Sequence, residues 1–354
     1  MKFEPVEAAF HQNLDSGEDL GASFCMTVEG ETVVDVWGGW GDAERTRPWA
    51  ADTIVNVFST TKTMTALTAL LLADRGELDF DAPVARYWPE FAAEGKDQVK
   101  VSHLMSHSAG LPDWTAPIVT ADLYDWDKVT ALLARQAPQW EPGTEIGYHS
   151  MTQGYLVGEV VRRITGRSIG TVFRQEIAEP LGADFHIGLP ASEDARVADL
   201  TPPPPGGPTV MIDVADTRTR AWRGAEIPAA GGTGNARSIA QIHAILANGG
   251  MAKAKRFLSE AGCRKALEVQ AEGRDRILGM TMRYGLGFAV SGGAMSFPNP
   301  NTIFWGGYGG SLAIIDMDAR TTMAYAMNKM GSTTTGDMRG LGLAMAAWEA
   351  LGVI

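Results

Sequence analysis

The pattern of apolar and polar positions predicts a sheet built from the two ends of the chain. Near the N-terminus, 22-ASFCMTV-28 and 32-TVVDVW-37 flank a Glu-Gly-Glu turn, which is typical of a β-hairpin. The strand pattern returns only near the C-terminus, in the segments 285-GLGFAV-290, 311-SLAII-315 and 321-TTMAYAMN-328. Both ends of the chain are therefore expected to supply strands.

Helical spacing dominates the rest of the chain. A first helix is predicted from Phe3 to Leu14, another over 239–250 with Ser238 as its N-cap, and a last one over roughly 337–351. Residues 77 to about 239 lack strand alternation and carry the helical segments 128–136, 151–165 and 168–179, followed by a proline-rich connection at 201–208.

Strands at both ends with helices between them predict an α/β (α+β) fold. We expect one antiparallel sheet flanked by helices, with a mostly helical domain inserted into it. The expected boundaries give a discontinuous sheet domain over 1–75 and 240–354, and an inserted domain over 76–239.

Composition and charge exclude several classes of function. The 354 residues are 45% hydrophobic and carry a formal net charge of −12, which argues against binding to nucleic-acid phosphates. No signal peptide and no apolar run of about 18 residues is visible, so we expect no membrane span. Cys25 and Cys263 are too far apart in sequence for a disulfide framework or a metal motif. A reduced, cytoplasmic protein without a metal is expected, and its oligomeric state is not predictable.

The segment 57-VFSTTKTMTALTALLLADRG-76 predicts an almost wholly apolar helix that begins near Ser59 and ends at Gly76. Ser59 and Lys62 lie on one face of that helix, three residues apart. Burial would lower the pKa of the lysine and allow it to accept the serine proton. The free N–H groups and the positive dipole end of the helix would stabilise an oxyanion. An N-cap serine with a lysine that reaches the surface explains the segment equally well.

Three further motifs follow this S-x-x-K pattern in order. They are 107-HSAGLP-112, 148-YHS-150 and the glycine-rich 304-FWGGYGG-310. The set resembles the serine β-lactamase/penicillin-binding-protein superfamily over nearly the whole chain, and within it the class C β-lactamase-like esterases known as family VIII carboxylesterases. This resemblance implies a β-lactamase-like fold for the expected sheet and its inserted domain.

The resemblance also implies roles for particular residues. Ser59 would be the nucleophile, Lys62 its activating partner, and Tyr148 a group that exchanges protons with Lys62. The backbone N–H groups of Ser59 and Tyr308 would form the oxyanion hole. No cofactor would be needed, and the partner would be a small-molecule ester.

The chain departs from the β-lactamase pattern at two motifs. It has 305-WGG-307 where those enzymes have K-T-G, and 148-YHS-150 where they have Y-x-N. Loss of the lysine removes a cation for a substrate carboxylate, whereas an indole offers an uncharged wall. The residues expected to contact substrate are Trp305, Gly306, Gly307, His149 and Ser150, although His149 is equally well explained by loop packing.

These departures favour hydrolysis of carboxylic esters with short to medium acyl groups. The alternatives are a β-lactamase or D-Ala-D-Ala carboxypeptidase activity, and a non-turnover acyl-binding or sensor protein.

A second serine motif, 166-GRSIG-170, matches the G-x-S-x-G nucleophile elbow of α/β-hydrolases. That motif requires a strand before the serine, and the preceding residues show helical spacing instead. We therefore predict that Gly166 ends one helix and that Ser168 caps the next. His103 and His107 lack a zinc motif's glutamate and are expected to be structural.

Overall fold

The computed structural model describes residues 2–206 and 211–354, so the last part of the proline-rich connection predicted at 201–208 lies outside it. Its strands are β1 (Gly21–Val28), β2 (Glu31–Gly39), β3 (Val55–Asn56), β4 (Phe185–His186), β5 (Thr233–Gly234), β6 (Met251–Ala252), β7 (Lys255–Arg256), β8 (Ala271–Arg274), β9 (Thr281–Tyr284), β10 (Ala289–Val290), β11 (Thr302–Gly306), β12 (Leu312–Asp316) and β13 (Thr321–Met327).

The helices alternate with these strands and dominate the middle of the chain. They are α1 (Glu4–Asp15), α2 (Thr61–Asp74), α3 (Val101–Met105), α4 (Trp126–Arg135), α5 (Thr152–Thr165), α6 (Ile169–Phe173), α7 (Glu179–Leu181), α8 (Arg220–Gly224), α9 (Ala236–Ala247), α10 (Glu260–Arg264) and α11 (Met338–Leu351). A π-helical turn, Arg174–Ala178, joins α6 to α7.

The main sheet has eight antiparallel strands in the order β2-β1-β13-β12-β11-β10-β9-β8. Strand β1 lies between its hairpin partner β2 and the C-terminal β13, so that Phe24 is opposite both Val36 and Tyr325. Every residue of β12 and β13 is buried, which means that both faces of the central sheet are covered. The predicted antiparallel sheet from both ends of the chain is confirmed.

Several predicted elements have different boundaries. The strand expected over 285–290 shortens to β10, because Gly287 has a φ of +87° and a Cβ there would lie 2.4 Å from the Ala66 Cβ. Strands β8, β9 and β11 were not predicted, since β8 contains Gly and charged residues and β11 runs into the glycine-rich motif.

Helix α9 begins three residues earlier than predicted. The Asn235 side chain is its N-cap and accepts from the Ser238 N–H at 2.9 Å. Ser238, the predicted cap, instead accepts a hydrogen bond from the Asp184 N–H at 2.8 Å. The prediction for Ser238 is therefore wrong, because an asparagine three residues upstream caps the helix.

Helix α2 is the central helix of the molecule. Its residues 61–72 are all buried, as expected for a helix that is apolar on every face. It contacts α5 and α6 from the middle of the chain as well as α10 and β11 from the C-terminal part. Its threonine hydroxyls donate to backbone carbonyls: Thr68 to Met64 of the same helix at 2.9 Å, and Thr65 to Pro228 at 2.7 Å.

A small sheet in the order β3-β5-β4 fixes the segment that leads into α2. Gly234 of β5 is opposite Val55 on one side and Phe185 on the other. Among the described helices, none is long and apolar enough to cross a membrane. The expected domain boundaries and cytoplasmic location stay predictions.

Truncating a core side chain of α2 should destabilise the whole protein. Leu67 is fully buried, so we expect Leu67→Ala to lower the free energy of unfolding by about 3 kcal/mol through lost burial and a residual cavity. Urea denaturation followed by circular dichroism measures this. Met338→Ala is the control, because Met338 is 76% exposed. Equal losses in the two variants would contradict a central role for α2.

Candidate active site

Ser59 lies in a 3₁₀ turn, Phe58–Thr60, that runs directly into α2. The preceding Phe58 has a φ of +42°, a left-handed conformation that is unusual for an aromatic residue and is concentrated at functional sites. The Asn56 side chain holds this turn, because its oxygen accepts from the Phe58 N–H and its nitrogen donates to the Ala230 carbonyl, both at 3.2 Å. No motif in the sequence predicts these contacts of Asn56.

Lys62 lies one turn further along α2 and is 1% exposed, so a lysine that reaches the surface is excluded. Its Nζ lies 3.0 Å from the Ser59 Oγ, 2.6 Å from the Ser150 carbonyl oxygen and 2.9 Å from the Ala229 carbonyl oxygen. Burial holds the pKa of Lys62 well below its usual value. A neutral amine has two N–H bonds for the two carbonyls and one lone pair for the Ser59 proton.

Tyr148 approaches Ser59 from the other side. Its hydroxyl donates to the Ser59 Oγ at 2.7 Å and accepts from the Trp305 indole N–H at 3.3 Å. Burial raises the pKa of Tyr148, so the group is a phenol and not a phenolate at neutral pH. The Ser59 hydroxyl can thus accept from Tyr148 while donating to Lys62.

Asp275 fixes the position of Tyr148 and was missed by the sequence analysis, because no motif surrounds it. It is fully buried, and its Oδ1 accepts from the Tyr148 N–H at 3.1 Å. The same oxygen accepts from the N–H groups of Ile277 and Leu278 at 2.8 Å each, and Oδ2 accepts from the Tyr284 hydroxyl at 2.8 Å. The Asp275 carboxylate therefore connects the backbone of Tyr148 to the turn at residues 277–278.

The glycine-rich turn after β11 lies against the segment that precedes Ser59. A Cβ at Gly307 would lie 2.1 Å from the Val57 carbonyl oxygen, so only glycine permits this approach. Gly307 donates to the Ser311 carbonyl at 2.8 Å, whereas the Tyr308 N–H has no hydrogen-bond partner among residues 2–206 and 211–354. The Tyr308 ring packs edge-on to Phe58 with the centroids 5.5 Å apart.

A cleft of about 630 Å³ opens over Ser59. Its described lining is largely apolar or aromatic, which suits an organic ligand with a mostly apolar surface. The lining residues are Phe58, Ser59, Pro112, Asp113, Gln139, Tyr148, Ser150, Met151, Met211, Ile212, Ala230, Ile277, Leu278, Tyr308 and Thr334.

A family model for beta-lactamases matches residues 6–346, nearly the whole chain. This chain belongs to the beta-lactamase family. The family resemblance seen in the sequence motifs is therefore confirmed.

Related proteins narrow the comparison within the beta-lactamase family. Esterase/beta-lactamase LipL of Mycobacterium tuberculosis (strain ATCC 25618 / H37Rv) is 36% identical over 283 residues, which is 73% of this chain and 66% of LipL, just under two thirds. Esterase EstB of Burkholderia gladioli is 28% identical over 88% of this chain and 86% of its own. The crystal structure of a family VIII carboxylesterase is 44% identical, with a TM-score of 0.94 over 99% of this chain and 97% of its own. These matches support the enzyme class of a carboxylesterase hydrolase.

Some residues expected to contact substrate lie elsewhere in this beta-lactamase family member. His149 is fully buried; its Nδ1 donates to the Gly147 carbonyl at 2.6 Å and its Nε2 accepts from the Leu111 N–H at 3.0 Å. Burial lowers the pKa of His149 to about 4. The expected substrate contact of His149 is thus corrected to loop packing, because both ring nitrogens bind backbone.

The expected substrate contact of the motif 305-WGG-307 is also corrected. Trp305 is 2% exposed and lies between the rings of Tyr148 and Tyr284, at centroid distances of 5.2 Å and 5.8 Å. Neither it nor Gly306 and Gly307 belongs to the cleft lining. Trp305 packs against the Tyr148 ring, Gly306 lies against the backbone at 335–336, and Gly307 lies against Val57. Of the residues expected to contact substrate, Ser150 alone belongs to the described lining.

The second serine motif is structural, as predicted. Gly166 ends α5 with a φ of +68°, and Ser168 caps α6 through the Thr171 N–H. The Ser168 hydroxyl donates to Glu226 at 2.6 Å. His107 accepts from the His149 N–H at 3.1 Å, and no group of side chains suited to a metal occurs in the described parts of the chain.

The buried lysine should make stability depend on pH. Between its lowered folded pKa and its unfolded value near 10.5, the unfolded chain binds more protons, so the free energy of unfolding rises with pH. We expect the wild type to gain stability relative to Lys62→Met from pH 7 to pH 9, by at most about 1.4 kcal/mol per pH unit. Urea denaturation at each pH measures the difference.

Lys265→Met is the matched control, since it removes the same charge from an exposed site. The difference in free energy of unfolding between Lys265→Met and the wild type should not change from pH 7 to pH 9. A wild-type advantage over Lys62→Met that shrinks as pH rises would contradict the neutral buried amine.

Proposed function

We propose that the protein hydrolyses carboxylic esters with short to medium acyl groups through an acyl-enzyme on Ser59. The observation that carries this proposal is the position of the Ser59 Oγ, 3.0 Å from the Lys62 Nζ and 2.7 Å from the Tyr148 hydroxyl oxygen at the base of an open cleft. A serine becomes nucleophilic when a base within hydrogen-bond distance takes its proton.

In the proposed first step, neutral Lys62 accepts the Ser59 proton as Oγ attacks the ester carbonyl. The lowered pKa of Lys62 suits it to this role, whereas the raised pKa of Tyr148 suits the phenol to donating a proton. Tyr148 then protonates the leaving alkoxide and regains a proton from Lys62. Water hydrolyses the acyl-enzyme through the same groups and frees Ser59.

The charge that develops on the carbonyl oxygen needs two donors. We assign them to the backbone N–H groups of Ser59, at the start of the helical turn, and Tyr308, whose N–H has no partner among the described residues. The close approach that Gly307 permits supports this pairing, because it brings the two backbone segments together.

The cleft favours esters over carboxylate-bearing substrates. No lysine or arginine belongs to its described lining, so an anionic substrate group would lose water without gaining a cation. The esterase name of EstB and the carboxylesterase structure support the same substrate class, whereas the name of LipL includes both esterase and beta-lactamase. Rates on a short p-nitrophenyl ester should therefore exceed those on nitrocefin, and the reverse order would favour a β-lactamase.

Replacing each candidate serine by alanine tests which of them is the nucleophile. Ser59→Ala should lower kcat on p-nitrophenyl butyrate by at least about 10⁴-fold, because no covalent intermediate can form. Ser168→Ala is the control and should keep most of the activity, since that hydroxyl caps α6. Mass spectrometry after treatment with a fluorophosphonate should find the added mass on Ser59, and labelling of Ser168 would contradict the assignment.

Removing one phenolic oxygen tests proton exchange. Tyr148→Phe should lower kcat by about 10²- to 10⁴-fold with a smaller change in KM, because the leaving alkoxide loses its proton donor. Tyr155→Phe is the matched control, since the Tyr155 hydroxyl is buried but donates to the Leu123 carbonyl at 2.7 Å. Stopped-flow measurement of the first turnover separates acylation from deacylation, and an unchanged kcat for Tyr148→Phe would rule out this role.

A further inference from the structure

The cleft over Ser59 contains one charged side chain among its described lining residues, Asp113. The ion pairs of the described chain include none with Asp113, although other carboxylates that are at least partly exposed, such as Asp199, Glu176 and Glu90, are paired with arginine. A substrate in the cleft would thus be near one negative charge with no neighbouring cation to neutralise it. Lys62 does not supply that cation, because burial favours its neutral form.

The backbone around Asp113 is held firmly. Its own Oδ1 accepts from the Trp114 N–H at 2.8 Å. The Gln136 side chain donates to the Asp113 carbonyl at 2.9 Å and accepts from the Thr115 N–H at 3.2 Å, so it clamps the loop on both sides of Trp114.

A buried lysine holds the backbone of Gln136 in place. Lys96 is fully buried and donates to the backbone carbonyls of Gln136 and Ala134, at the end of α4. The Trp114 indole donates to the Val129 carbonyl of the same helix at 3.0 Å. Asp113 therefore projects from a braced loop, which lowers the cost of holding a ligand there.

Aromatic rings line the same cleft as this carboxylate. Phe58, Tyr148 and Tyr308 all line the same cleft, and the rings of Phe58 and Tyr308 pack against each other. An ammonium group is attracted both to a carboxylate and to the faces of aromatic rings. Most of the remaining lining is apolar and would accept the methyl or methylene groups that surround such a nitrogen.

We propose that Asp113 determines specificity by selecting esters that carry a positively charged amine or quaternary ammonium group. This inference rests on the proposed esterase function and names its substrate class. The reaction is unchanged: Ser59 attacks the carbonyl, the alcohol leaves and water releases the acid. Asp113 binds the distant cation and takes no part in bond making or breaking.

Two pairs of substrates test the charge without changing shape. The first pair is acetylcholine and its isostere with carbon in place of nitrogen, so the charged group, or its neutral counterpart, is in the alcohol portion of the ester. The second pair is the p-nitrophenyl ester of γ-trimethylammoniobutyric acid and its carbon isostere, so the charged group, or its neutral counterpart, is in the acyl chain. In each pair, the ratio of kcat/KM for the cationic ester to that for the neutral ester reports the effect of charge alone.

We expect a ratio of about 5 in at least one pair for the wild type, falling as ionic strength rises. Asp113→Asn should bring that ratio to about 1, because asparagine keeps the acceptor for the Trp114 N–H and loses only the charge. Asp113→Lys should invert it to below 1. Asp15→Asn, on an exposed residue at the end of α1, changes the net charge equally and should leave the wild-type ratio intact.

The outcomes separate the two proposals. If the wild type hydrolyses the neutral esters and shows no preference for the cationic partner in either pair, the inference on Asp113 is wrong and the esterase function stands. A preference that survives Asp113→Asn, or that Asp15→Asn removes equally, also overturns the inference. If neither the cationic nor the neutral esters are hydrolysed, the proposed function falls together with it.

Discussion

The site depends on an amine buried without a countercharge. Lys62 contacts two backbone carbonyls and the Ser59 hydroxyl, and no described carboxylate pairs with it. Burial of a charged ammonium is costly, and it holds the pKa of Lys62 well below its usual value, which is why we propose this amine as the base. A carboxylate beside Lys62 would have the opposite effect, because it would stabilise the protonated ammonium, which has no lone pair to accept the Ser59 proton.

Several features outside α2 serve this arrangement. Asn56 holds the left-handed turn before Ser59, and Asp275 holds the backbone of Tyr148. The Trp305 indole donates to the Tyr148 hydroxyl, which leaves the phenolic proton directed at Ser59. These residues act through their neighbours, and a substrate in the cleft would meet Tyr148 and not Trp305. Polar groups that satisfy one another in this way keep a reactive geometry fixed.

The sequence predicted the parts of this site that local spacing determines. The three-residue interval between Ser59 and Lys62 predicted their contact, and the apolar residues after Lys62 predicted its burial. The role of Tyr148 was predicted from the family resemblance alone, because 89 residues separate it from Ser59. No sequence motif marks Asp275 or Asn56, because each also binds a backbone group far away in the sequence, Tyr148 for Asp275 and Ala230 for Asn56. The fold was predicted where strands alternate clearly, and β8 was missed because its charged and glycine residues hide the pattern.

The pairing of β1 with β13 has a consequence for biosynthesis. Thr27 on β1 hydrogen-bonds Thr322 on β13, a partner 295 positions later, at 2.6 Å. While the ribosome is still translating the middle of the chain, the N-terminal hairpin has one open edge that no nascent residue can cover. Such an edge favours association with other chains, and long-range pairing slows folding. The edge of β1 that pairs with β13 therefore stays open until the last strands of the chain have been made.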